Sequence, residues 1–222
     1  MEGRGRKIIK NMNSEQLLLL VQDLKELERK IESRGLYPPN LKTDVVKEYY
    51  EAITSGSLPE HATYRVFEVL CEELFGEVPQ IQVKERAVVP DYAIIENSYR
   101  VAIEVKSPFV RTRNTLRRNV LQPRSHSDQV RNYLSAGFDY VILTDAYKWY
   151  FYSRSTLLTE EITPFAFLSI EDLLQERRLS IVKTCRMLER SYPLRDLDKY
   201  FFRDLKGYVR EFEELLGEFP SV

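Results

Sequence analysis

Pro90-Asp91-Tyr92-Ala93-Ile94-Ile95-Glu96-Asn97-Ser98-Tyr99-Arg100-Val101-Ala102-Ile103-Glu104-Val105-Lys106 is the stretch on which the fold of this 222-residue chain turns. Its branched and aromatic residues read as two strands, Val88 to Ile95 and Arg100 to Val105. Between them Asn97-Ser98 suits a two-residue hairpin turn, although serine serves the second position less well than glycine. Such a turn sets the register. Asp91 and Glu104 are each six residues from it, so they are expected to face each other. Their Cβ atoms would then lie about 5 Å apart. Alternation places Lys106 on the face of Glu104 and turns Tyr92, Ile94, Val101, Ile103 and Val105 to the opposite, apolar face.

Working outward, three helices are expected before this hairpin. The first runs from Glu15 to Ser33 behind an Asn13-Ser14 cap, with Gly35 and Pro38-Pro39 closing it. The second runs from Thr43 to Ile53. The third starts near Pro59 and carries Tyr64, Phe67, Leu70, Cys71 and Leu74 on one face until Gly76. Gln80 to Val83 reads as a short strand. Beyond the hairpin, Arg111 to Arg124 is polar and basic, and Ser125 to Ala136 reads as a helix ended by Gly137. Tyr140 to Leu143 and Trp149 to Tyr152 read as two more strands. After Pro164 the pattern returns to helix, with Ser169-Ile170-Glu171-Asp172 as a capping-box start and a last amphipathic run from Leu197 to Leu216.

Composition narrows the class. With 43% hydrophobic and 30% charged residues the chain suits a compact domain with extra helices. No stretch approaches the roughly 20 apolar residues of a membrane span, and Met1 to Lys10 lacks the apolar run of a secretory signal, so a cytoplasmic, intracellular protein is expected. Cys71 and Cys185 sit far apart in apolar patterns and read as buried thiols, and no zinc ligand set is apparent. The net charge of -1 shows no general attraction to nucleic acid, so any such binding must come from a local patch.

Opposed carboxylates on neighbouring strands repel unless a cation lies between them or one holds a proton. Mg2+ or Mn2+ would meet that need, because hard oxygen ligands with several waters left over suit these ions. An isolated Glu-x-Lys tripeptide would more simply be an exposed ion pair. Here, however, Pro90-Asp91, twelve intervening residues and Glu104-Val105-Lys106 resemble the PD-(D/E)XK signature of restriction-endonuclease-like nucleases. The resemblance implies that Asp91 and Glu104 hold the metal, assisted by the carbonyl of Val105, and that Lys106 positions the nucleophile. Gln129-Val130-Arg131-Asn132-Tyr133 resembles the QxxxY motif of RecB-type members, which would bring Gln129 and Tyr133 to the site. Members often add a glutamate on the helix before the first strand, and Glu68 is the candidate, with Glu72 one turn later. The implied fold is α/β, a restriction-endonuclease-like mixed sheet flanked by helices. Residues 59–163 would form its core, with an N-terminal helical extension over 1–58 and a C-terminal helical region over 164–222.

From Arg100 to Arg131, eight cations stand against Glu104 and Asp128, a net +6. Arg111, Arg113, Arg117, Arg118, Arg124 and Arg131 are therefore the expected contacts to DNA phosphates. His61 and His126 lack metal-ligand spacing. The expected function is Mg2+-dependent hydrolysis of DNA phosphodiester bonds. Two rivals are a nuclease fold that binds DNA without catalysis and an assembly protein that uses the sheet as scaffold. Leu17, Leu20, Leu24, Leu27 and Ile31, spaced by 3, 4, 3 and 4 residues, follow a coiled-coil seam. They suit either a homodimer or packing of the helix on its own domain, and a homodimer is the expectation.

Overall fold

Asn97 and Ser98 both have positive φ, 48° and 67°, as the two central residues of a type I′ hairpin turn require. The flanking strands pair with Glu96 opposite Tyr99 and Tyr92 opposite Ile103. This is the register expected from the turn. Asp91 lies one residue outside the ladder, in a bend. The first of the two strands begins at Tyr92 rather than Val88, which makes only an isolated bridge. Pro90 has no N–H to give to a ladder, so regular pairing starts after it.

The computed structural model describes residues 12–33, 40–56, 59–76, 79–81, 88–113, 115–158, 161–175 and 179–190. In chain order these form helices α1 (Ser14–Glu32), α2 (Asp44–Ser55) and α3 (Pro59–Phe75), then strands β1 (Gln80–Ile81), β2 (Tyr92–Glu96), β3 (Tyr99–Val105), β4 (Phe109–Thr112) and β5 (Thr115–Arg118). A 3-10 turn, Pro123–His126, leads into α4 (Ser127–Ala136), followed by β6 (Tyr140–Thr144), β7 (Lys148–Ser153), β8 (Ala166–Ser169) and α5 (Ile170–Gln175). Residues 181–190 are helical. The run expected from Leu197 to Leu216 lies outside the described residues.

The chain is thus mixed α/β. Its main sheet has the order β1-β2-β3-β6-β7-β8, in which β3 and β6 are parallel and the other neighbours antiparallel. The connection from β3 to the parallel β6 crosses over through α4, as a parallel pair requires. One sheet face carries Tyr92, Ile94, Val101, Ile103 and Val105 into a core shared with α1, α2, α3 and residues 181–188. The other face carries Ala93, Ala102, Val141 and Leu143 against Val130, Tyr133 and Leu134 of α4.

Three expectations change. The basic stretch is not a simple connection, because β4 and β5 pair within it as a separate two-stranded ribbon. The segment after Pro164 first forms β8, the outermost strand beside β7, before its capping box starts α5. The leucine seam of α1 is used internally. Leu17, Leu20, Leu24 and Leu27 are each at most 1% exposed, and Ile31 is 4% exposed, all within the chain's own core. Each leucine so buried contributes about 1.5–3 kcal/mol, and these five residues take the self-packing alternative. Among the described residues no helix is long and apolar enough to cross a membrane.

Candidate active site

Glu104 is the second-last residue of β3, a strand flanked on both sides, and it is only 4% exposed. A carboxylate so placed needs partners for both oxygens. Tyr133 of α4 donates its hydroxyl proton to Oε2 at 2.7 Å, and Lys106 donates to Oε1 at 2.5 Å. The Tyr133 oxygen in turn accepts from Gln129 Nε2 at 3.1 Å, across one helical turn. Burial and the Glu104 carboxylate hold the Tyr133 hydroxyl far above the usual phenol range, so it stays a donor.

Asp91 completes the cluster from the bend before β2. Its Oδ2 accepts the Val105 backbone N–H at 2.9 Å and its Oδ1 accepts the Tyr64 hydroxyl of α3 at 2.7 Å. Burial first, and then the charge of Glu104, raise the Asp91 carboxyl above its ordinary value. Lys106 responds oppositely. Burial works against its charge, yet the Glu104 hydrogen bond and the charges of Glu104, Glu60 and Asp91 outweigh it and raise the ammonium's pKa. These neighbouring charges favour Lys106 as a cation and donor.

Each of the four carboxylate oxygens accepts one hydrogen bond and keeps a lone pair free. The two side chains are hard donors, and the Glu104 charge makes ionisation of Asp91 costlier, so a divalent cation between them would relieve the repulsion. Among the described residues no group of three or more His, Cys, Asp or Glu side chains is arranged to hold a metal. Asp91 and Glu104 would therefore be joined by the Val105 carbonyl and water, a ligand set that Mg2+ accepts because it retains several waters.

The structure brings Asp91, Glu104, Lys106, Gln129 and Tyr133 together. Glu68 instead accepts the Tyr92 hydroxyl at 3.0 Å. The glutamate of α3 that reaches the cluster is Glu60, 3.3 Å from Lys106 Nζ. Sequence reasoning passed over it. The signal was present, since Glu60, Tyr64 and Glu68 share one helical face at intervals of four.

A cleft of about 810 Å³ opens beside Lys106. Gly56, Pro59 and Glu60 bound it at the start of α3, the β4–β5 ribbon forms one wall, and Gln122, Ser125 and His126 line the approach to α4. His126 was likewise not assigned a role from sequence. Burial and the nearby Lys106 charge lower its pKa, partly offset by Glu104 and by a hydrogen bond with Gln129.

The arginines divide. Arg111 and Arg113 line the cleft, and Arg111 is anchored by the Ile53 carbonyl. Arg117 lies exposed on β5, and Arg131 is half-buried on α4. The Arg124 side chain is 91% exposed and 3.8 Å from Glu161. Arg118 points inward and is 11% exposed. It pairs with Glu28, donates to the Pro108 and Asn119 carbonyls at 2.9 Å each, lies 3.7 Å from Asp145, and sits over the Tyr147 ring. Its place is in packing.

No family model, curated protein or solved structure matches the chain.

Proposed function

We propose that the chain is a metal-dependent nuclease with a restriction-endonuclease-like core, hydrolysing phosphodiester bonds in DNA at Asp91, Glu104 and Lys106. One observation carries this reading. The two motifs singled out in the sequence are separated by about a tenth of the chain, yet a single 2.7 Å hydrogen bond from Tyr133 to Glu104 joins them. The result is a continuous relay from Gln129 through Tyr133 and Glu104 to Lys106.

Asp91 and Glu104, with the Val105 carbonyl, would hold Mg2+ or Mn2+. When bound, such an ion supplies Lewis-acid polarisation of a phosphate oxygen and lowers the pKa of water. The protein's own groups supply position and charge. Tyr133 and Gln129 fix the Glu104 carboxylate in one orientation, as outer partners of metal ligands do. Lys106, held as an ammonium, donates to the attacking water or to a phosphate oxygen and offsets the negative charge that builds on phosphorus. Arg111 and Arg113, on the cleft wall, are placed to contact flanking phosphates.

The test is incubation with linear, circular, single-stranded and branched DNA, with Mg2+, with Mn2+ and with excess chelator. Cleavage is expected only with metal. Alanine at Asp91, Glu104 or Lys106 should lower the rate by about 10²-fold or more. Activity that persists in chelator, or full activity in Glu104→Ala, refutes the proposal.

A further inference from the structure

We infer that the site acts on an unpaired strand, which enters the cleft beside Lys106, and does not accept the interior of an intact duplex. The chemistry at the inner end rests on the nuclease reading, whereas the choice of strand rests on the cleft alone. Three observations carry it.

The first is size. At about 810 Å³ the cleft falls within the range of ligand pockets, roughly 300–1,000 Å³. That volume holds a few nucleotides. The paired second strand would double the volume required, so the cleft suits one strand better than two.

The second is the chemistry of the wall. Val110 and Val120 are 44% and 56% exposed, and both line the same cleft as Lys106, Arg111 and Arg113. Exposed apolar side chains beside cations can cover the faces of unstacked bases next to phosphates, the role that aromatic residues fill in many single-strand grooves. An intact duplex presents phosphates and sugars outward and keeps its base faces stacked, so these valines would gain nothing from it.

The third is charge. A protein that holds a duplex by its backbone can make about 6–10 phosphate contacts. The cleft offers Lys106, Arg111 and Arg113, with Glu60 opposing them. Arg118, central to the basic stretch in sequence, is turned inward to Glu28 and Asp145. Three cations suit the phosphates of a short single strand.

The experiment uses the full chain in chelator and fluorescein-labelled DNA of roughly 16 nucleotides. Fluorescence anisotropy compares a single strand, a blunt duplex and a duplex with a single-stranded tail. The single strand and the tailed duplex are expected to bind about tenfold or more tighter than the blunt duplex. The paired change Val110→Glu with Val120→Glu should weaken single-strand binding by about tenfold. Val110→Ser with Val120→Ser should weaken it by about threefold, which preserves the test if the charged pair folds poorly. A blunt duplex bound as tightly as the single strand, or folded serine variants of unchanged affinity, overturns the inference. A parallel assay with Mn2+ separates it from the nuclease reading. Cleavage of a covalently closed duplex at the single-strand rate overturns the strand preference and leaves the nuclease. Single-strand binding with no cleavage of any substrate supports the cleft and overturns the nuclease.

Discussion

Tyr133→Phe removes one oxygen atom from the centre of the relay and leaves the ring in its edge-to-face contact with Phe138. Glu104 would lose its 2.7 Å donor on Oε2 and keep Lys106 on Oε1. At 4% exposure water cannot readily replace the lost proton. A hydrogen bond to a charged buried group is worth about 1.5–3 kcal/mol. Part of this is recovered because Gln129, which donated to the same hydroxyl, is only half-buried and can turn to solvent. A net loss of about 1–2 kcal/mol is the result. At roughly 2–4 °C per kcal/mol for a chain of this size, Tm should fall by about 2–8 °C.

Function should suffer more than stability. The Glu104 carboxylate would lose the contact that sets its rotation. Loss of an outer partner typically costs a metal site about 10–100-fold in affinity or rate. Urea unfolding gives the first quantity, and calorimetric Mn2+ titration with single-turnover cleavage gives the second. Metal affinity and turnover both unchanged in Tyr133→Phe would refute the claim that this hydroxyl positions Glu104, whatever the effect on Tm.

Two further predictions concern groups away from the relay. Arg118→Met strips the cation from Asp145, whose carboxyl burial already raises above its ordinary value. Removing one partner of a buried pair costs about 3–5 kcal/mol. Because Asp145 binds its proton more tightly when folded, this cost should be smallest in acid and grow as pH rises through and above the usual carboxylate range, which urea midpoints across a pH series will show. A destabilisation that shrinks as pH rises would contradict the assignment. Leu20→Glu with Leu24→Glu should abolish cooperative unfolding by circular dichroism, since both leucines are at most 1% exposed. A folded double variant with altered oligomeric mass would restore the dimer seam.

Much of the site was legible because one turn fixes it. With Asn97 and Ser98 as the central pair, period-2 alternation carried the register along both strands to Ile103 and Tyr92, and so to Glu104 and Asp91 beside them. The ribbon β4–β5 was not legible for an equally physical reason. Of its eight residues only Phe109 and Leu116 are buried, so the alternation is drowned by arginines and threonines. β8 is four residues long, between Pro164 and a capping box that more clearly announces a helix. The α1 leucines show the limit of periodicity. Spacing says that a face is covered, but the cover can be the chain's own sheet or another copy, and only the tertiary structure distinguishes them.

Two buried ionic clusters in this chain obey the same electrostatics and still call for different readings. Around Asp145, Oδ1 accepts the Tyr147 and Lys148 N–H groups at 3.1 and 2.8 Å, and Tyr147 donates to the Leu24 carbonyl at 2.8 Å. Arg118 joins this knot to Glu28 of α1, with Asp145 fully buried. Such a cluster ties β5, α1 and the β6–β7 turn together, and no substrate can reach it. Around Glu104 the anion is equally hidden, but its cation Lys106 keeps 21% of its side-chain surface and lines the cleft. Access separates the candidate active site from the structural knot, since a reacting group must meet at least one member of the cluster. The two are nevertheless connected. The ribbon that Arg118 pins to α1 is the same ribbon whose Val110, Arg111 and Arg113 form the cleft wall. If the cleft binds a single strand as proposed, Arg118 would act on it through the position of that wall, and its loss should lower affinity only as far as the ribbon moves.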